Sequence, residues 1–167
     1  MTAAEWRRSA REALAAARRV AVLGVGNPGK GDDGAGVAAA RALRRRLSPA
    51  DRRRVRVLIA GLAPENFTGK IRAIAPDLVV IVDAALGGHP PGTVFRIEAE
   101  KISDDGVTTH RISLRFLVRY IEESIGCPVL VLGIEPEKMA EGEKLSAAAK
   151  KAISSAVDFL VENLPRT

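Results

Sequence analysis

At 167 residues, with 47% apolar and 28% charged residues, the chain has ordinary globular composition and enough length to bury a core in one domain, residues 1–167. Its single cysteine, Cys127, excludes an internal disulfide and fits a reducing, cytoplasmic setting. The longest run of large apolar residues, Leu78–Val82, is far too short to cross a bilayer, and Met1–Val20 mixes Arg with Ala where a signal peptide would be apolar. The net charge of +6 is uneven: residues 1–72 hold 16 Lys+Arg against 6 Asp+Glu, and residues 73–167 hold 10 against 14. Solvated helix faces explain this most simply. The sharper reading is an electrostatic footprint for nucleic acid or an acidic protein. The lack of aromatic residues near the arginines argues against nucleic acid.

Taken in order, Thr2–Arg18 predicts an amphipathic helix with Trp6, Ala10, Leu14 and Ala17 near one face, an N-terminal extension added to the surface. Arg19–Val25 reads as a strand, and Asp33–Leu47 as the helix of a βαβ unit, closed by Ser48-Pro49. Val55–Ala60 is a second strand with little polar alternation, as expected where both faces are covered. A short helix opened by Pro64 carries Phe67, Ile71 and Ile74. Leu78–Asp83 is the most apolar strand and ends in an acid, where open α/β sheets place their sites.

The turn His89–Gly92 is too short for a crossover, so strand Thr93–Ile97 is expected to run antiparallel at an edge, and His89 to be exposed and incidental. Ser103–Thr109 reads as a polar loop before a helix that Ser113 caps, with Leu114, Leu117, Val118, Ile121 and Ile125 on one face. Strand Pro128–Ile134, a charged loop Glu135–Glu143 and a closing helix Ser146–Leu164 complete the chain. Cys127, directly before Pro128, reads as a small buried hydrophobe rather than a nucleophile. The alternation predicts a three-layer α/β/α sandwich on a mostly parallel, twisted five-stranded sheet with one antiparallel edge strand.

Strand, glycine-rich turn and helix meet at Leu23–Gly36, L-G-V-G-N-P-G-K-G-D-D-G-A-G. Gly24-x-Gly26-x-x-Gly29 matches the dinucleotide fingerprint, but the second strand ends in Gly61 and Leu62 rather than in an acid for the ribose. Gly24-x-x-x-x-Gly29-Lys30 approaches a P-loop, but Gly31 stands where Ser or Thr should hold Mg²⁺, and Asp32 and Asp33 would repel a polyphosphate. One acid at the start of a helix is an ordinary cap; two leave one available for chemistry. Two carboxylates, Asp33 and Asp83, and the imidazole of His110 are a donor set that can hold a divalent metal with open positions. The sequence does not by itself place the three together.

The string G-x-G-N-x-x-x-G-D-D-G-x-G, Gly24–Gly36, resembles the signature of the hydrogenase maturation endopeptidases. It is followed by A-P-E-N (Ala63–Asn66), I-V-D-A (Ile81–Ala84), P-G-T-V (Pro91–Val94), T-T-H (Thr108–His110) and L-G-I-E-P (Leu132–Pro136). In that order these resemble the branch that matures the formate-hydrogenlyase hydrogenase, over about Val20 to Leu164. G-V-G-N-P-G also resembles the start of peptidyl-tRNA hydrolase, but the Tyr and the Thr-Arg-His-Asn segment of that family are absent after it.

The first resemblance implies a phosphorylase/hydrolase-like fold and a monomeric, aspartic-type or metal-dependent endopeptidase. It would cut a C-terminal peptide from the large-subunit precursor of [NiFe] hydrogenase after nickel insertion, and so act as an enzyme activator. It implies Ni²⁺, carried by the substrate, with Zn²⁺ or another divalent ion able to stand in. The family's nickel-coordinating positions fall on Asp33, Asp83 and His110, and Asp33 or Asp83 would activate a water. Gly26, Asn27, Gly31 and Asp32 would form the substrate and oxyanion loop, by their place in the turn. A peptidyl-tRNA hydrolase-like esterase and a phosphate- or nucleotide-binding module remain the alternatives at this stage.

Overall fold

A computed structural model describes residues 3–98 and 109–165, with side chains described for 5–98 and 114–165. The helices are α1 (Ala3–Ala16), α2 (Ala35–Arg46), α3 (Thr68–Ile74), α4 (Thr109–Tyr120) and α5 (Ala147–Asn163). The strands are β1 (Val20–Val25), β2 (Val55–Gly61), β3 (Leu78–Ala84), β4 (Val94–Ile97) and β5 (Val129–Ile134). They form one sheet in the order β2-β1-β3-β5-β4, parallel except for β4, which pairs antiparallel with β5 at the edge.

Alternate residues of each central strand enter opposite layers, because successive side chains point to opposite faces. Val20, Val22, Val80, Val82, Leu130 and Leu132 pack with α1, α2 and α5. Ala21, Leu23, Val79, Ile81 and Val131 pack with α3 and α4. Both faces are covered, which is why these strands read as unbroken apolar runs.

Three expectations are revised. The N-terminal helix is not a surface addition: Trp6, Ala10 and Leu14 are buried in the main core, and the Trp6 ring meets Phe159 of α5 edge-on at 4.9 Å. Its apolar stripe matches a stripe left open on α5, so docking removes both from water. Trp6→Ala is therefore expected to cost about 3 kcal/mol, as for other buried aromatics, read as a shift in the urea midpoint. Second, Asp33 does not begin an α-helix; Gly31–Gly34 forms a 3₁₀ turn and α2 starts after it. Third, α4 already begins at Thr109, so Ser113 lies inside the helix rather than capping it. The loop expected before it, Ser103–Thr108, lies outside the described residues.

The sheet reverses its winding at β1. The α2 crossover carries the chain from β1 to β2 on one side, and α3 then carries it past β1 to β3 on the other. The carboxyl ends of β1 and β3 therefore open onto a topological switch point, where connections diverge and leave a crevice.

Candidate active site

The crevice is lined by the turn after β1 and by the end of β3. Gly26 has φ +122°, and a Cβ there would lie 1.9 Å from the carbonyl oxygen of Asp33 and 3.7 Å from Oδ1 of Asp83. Only glycine fits, and its missing side chain lets the main chain of Asp33 and the carboxylate of Asp83 both approach the turn. Gly36, in the first turn of α2, has the same role against the sheet. A Cβ there would fall 2.1 Å from the Val82 carbonyl and 2.4 Å from that of Val25. The glycines of the motif thus serve close packing of helix on strand and access to the acids.

They do not build a phosphate cradle. From Gly26 to Asp33 every backbone N–H donates within the protein, Pro28 having none. Gly26 donates to the Gly61 carbonyl at 3.0 Å, Gly31 to that of Glu143 at 3.1 Å and Asp32 to that of Lys138 at 2.9 Å. Lys30 and Asp33 donate to the carbonyls of Asn27 and Lys30, and Gly29 donates to Oδ1 of Asn27. The amide of Asn27 donates to Oδ2 of Asp33 at 3.1 Å. An anion nest needs such groups unspent. In the expected oxyanion loop, the main-chain donors of Gly26, Asn27, Gly31 and Asp32 are already committed within the protein. Among the described residues, the donors left open in the turn are the Lys30 ammonium and the side-chain amide of Asn27, the latter oriented by the bond its Oδ1 accepts.

The two adjacent acids divide their tasks. Asp32 is fully buried and belongs to the architecture, not to the substrate loop. Its carboxylate accepts from the Ser146 amide at 2.7 Å, the Ser146 hydroxyl at 2.8 Å, the Glu137 amide at 2.9 Å and the Lys138 amide at 3.4 Å. Burial alone would raise its pKa. The bonds from Ser146, Glu137 and Lys138 outweigh that and hold it below the ordinary 3.8. Ser146 in turn caps α5, accepting from the Ala149 amide at 3.0 Å.

Asp33 is nearly buried; one oxygen takes the Asn27 amide, and the other has no hydrogen-bond partner among the described residues. Asp83 is 5% exposed and hydrogen-bonded or otherwise engaged within the protein.

His110 lies in the first turn of α4. The far end of that helix leads through Gly126–Pro128 into the amino end of β5, and its middle packs Leu114, Leu117 and Val118 onto the sheet. α4 therefore runs antiparallel to the strands, and its first turn lies at the carboxyl edge, the edge of the two acids. The imidazole itself lies outside the described side chains, and among described residues no group of three or more His, Cys, Asp or Glu is arranged to hold a metal.

His89 is half-buried rather than exposed, its ring tilted on Phe95 at 4.6 Å. Cys127 is buried, which pushes its thiol up to about 11 and leaves it a poor nucleophile. Glu135, which the sequence placed in a charged loop and in the L-G-I-E-P motif without a role, is buried directly after β5. Its carboxylate accepts from the amides of Gly87 at 2.7 Å and His89 at 3.2 Å, fixing the segment that follows Asp83. The signal available for it was its place directly after an apolar strand.

Fold and site together define a three-layer α/β protein with two carboxylates beside the Gly26–Asn27 turn, at the switch point of a mostly parallel sheet. The likeness to known proteins narrows this. The chain belongs to the hydrogenase maturation protease family, whose HycI model matches residues 37–163. It is 33% identical to the hydrogenase 3 maturation protease of Escherichia coli K12 over 80% of this chain and 83% of that protein. The crystal structure of a [NiFe] hydrogenase maturation protease HycI from Thermococcus kodakarensis superposes with a TM-score of 0.83 at 30% identity, over 93% of this chain and 98% of that one. The E. coli endopeptidase HybD, at 24% identity, shares the fold with a TM-score of 0.73 over 86% of this chain and 90% of its own. Membership makes the chain a peptidase; neither the esterase nor the nucleotide-module alternative finds support. No helix among the described residues is long and apolar enough to cross a membrane.

Proposed function

We propose that this protein removes the C-terminal peptide from the large-subunit precursor of a [NiFe] hydrogenase after nickel has been inserted, acting as a monomer in the cytoplasm. The observation that carries the reading is that the Asp83 carboxylate lies beside Gly26 and the Asp33 carboxylate accepts the next amide, that of Asn27, at the switch point of a chain that belongs to the maturation proteases. The donor chemistry fits a nickel-bearing substrate: two carboxylates offer oxygen ligands for a divalent ion, and His110 is the third ligand. The metal arrives as part of the substrate and marks the precursor as ready to be cut.

Within that complex the residues have distinct roles. The Asp33 oxygen without a partner is the group best placed to take a proton from the attacking water, as a general base. Asp83, at the end of a rigid central strand, fixes the distance at which the substrate's metal sits. The side-chain amide of Asn27 donates toward the scissile carbonyl as negative charge develops on its oxygen. Nickel bound there would also polarise that carbonyl.

The test is mass spectrometry of a nickel-loaded precursor before and after incubation with the protein. A loss of mass equal to one C-terminal peptide is expected, and no such loss from nickel-free precursor. Equal cleavage of both forms would remove nickel from the recognition step, and an intact nickel-loaded precursor would overturn the function.

A further inference from the structure

The half of the chain rich in arginine builds one feature that the candidate site does not use. Beside β2 lies an open groove of about 530 Å³ lined by Arg19, Arg53, Arg56 and Lys70, with Leu58 and Ile74 among its apolar residues. No Asp or Glu lines it. Among the described residues none of the four cations forms an ion pair. The Arg19 guanidinium donates to the carbonyls of Ile74 and Ala75, that of Arg56 to the Arg52 carbonyl, and the Lys70 ammonium sits over the Phe67 ring. Among the described residues, β2 is also the terminal strand of the sheet, paired on one side only, with β1. An unpaired strand rim is a template for another strand, and four unneutralised cations beside it select the charge of that strand.

We propose that the open edge of β2 and this groove seat an extended, acidic segment of a polypeptide partner as an added strand. Main-chain hydrogen bonds to β2 would align the segment, its carboxylates would meet Arg53, Arg56 and Lys70, and its intervening aliphatic side chains would rest on Leu58 and Ile74. Arg56 and Leu58 are two residues apart and so share one face of the strand, which calls for a segment whose every second residue, on the face toward the groove, is acidic and aliphatic in turn. No aromatic side chain lines the groove to stack a base, which favours a peptide over single-stranded nucleic acid.

The direction of β2 ties the groove to the catalytic end. Five residues separate Arg56 from Gly61, about 17 Å of strand. The carbonyl of Gly61 receives the Gly26 amide, beside Asp33 and Asp83. A segment laid along β2 therefore runs from the cations to the carboxylates. The proposal rests on the reading that the protein acts on another polypeptide, and it adds the chemistry by which that polypeptide docks.

A fluorescein-labelled peptide of repeated Glu-Ser-Val-Ser, which as a strand carries Glu and Val in turn on one face, is titrated against the full chain by anisotropy, with amide shifts recorded by NMR. Binding is expected to weaken about tenfold or more in the Arg53→Glu/Lys70→Glu variant and to fall as salt rises. It is expected to vanish when alternate peptide amides are N-methylated, and to shift amides in residues 55–61 and 68–75. Equal binding by a Ser-for-Glu peptide, indifference to the charge reversals, or shifts confined elsewhere would overturn it. So would an oligonucleotide that binds these amides more tightly than the peptide. Asp83→Asn is expected to keep peptide binding while losing processing, so docking and proteolysis fail separately. Both exchanged cations are exposed, and a circular dichroism melt matching the parent's confirms that the double variant folds.

Discussion

Asp33→Asn and Asp83→Asn are each expected to lower processing of the nickel-loaded precursor by about 100- to 10,000-fold, the range that a positioned general base or its equivalent supplies. The shape of the side chain is kept, so the fold should survive. In Asp33→Asn the amide oxygen can still accept the Asn27 N–H that now reaches Asp33 at 3.1 Å. What is lost is negative charge at the point where the turn and β3 converge on Gly26. Single-turnover cleavage followed by mass spectrometry, with thermal unfolding on the same samples, separates chemistry from stability. A variant that cleaves within a few-fold of the parent rate would remove that acid from the mechanism. His110→Ala is expected to fail with them if it is the third ligand proposed above.

The acid one position earlier should respond in the opposite manner. Asp32→Ala is expected to cost about 5 kcal/mol of stability, because it leaves several buried donors from Ser146, Glu137 and Lys138 unsatisfied at once. The segment from Glu137 to the cap of α5 would come loose from the turn, so activity would fall through unfolding and not through loss of a reacting group. The pH dependence follows from the direction of the shift. The folded state holds the Asp32 carboxyl below 3.8, so folding favours the ionised form. Its contribution is complete above the ordinary carboxylate pKa and is lost as pH falls through the lower folded value. The acid limb of a stability curve should therefore steepen below about pH 4 in the parent, and Asp32→Asn should flatten it. A curve of unchanged shape in that variant would show that Asp32 does not carry the acid sensitivity.

Adjacent in sequence and alike in chemistry, these two residues show where reading the chain runs out. That one of the pair would be available for chemistry followed from counting acids at a helix start. The family resemblance pointed to Asp33; what occupied Asp32 depended on Ser146, more than a hundred residues away. The Gly-rich string likewise offered a cradle of N–H groups. Its amides turned out to be spent on Gly61, Glu143, Lys138 and the turn itself, acceptors that no local pattern could name. Trp6 is a third case. Its helix was legible from periodicity, but its burial required the matching face of α5.

The sequence by itself determined the order of strands and helices, the antiparallel edge strand and the two acids at strand and turn ends. These rest on side-chain period, on turn length and on the apolar runs that a doubly covered sheet demands, all of which act within a few residues. The tertiary structure alone decided that β1 is the point of reversal, that the buried Asp32 ties the turn to the cap of α5, and that α1 belongs to the core. Each of these is a pairing between segments far apart in the chain, and a pairing is fixed only when both partners leave water together.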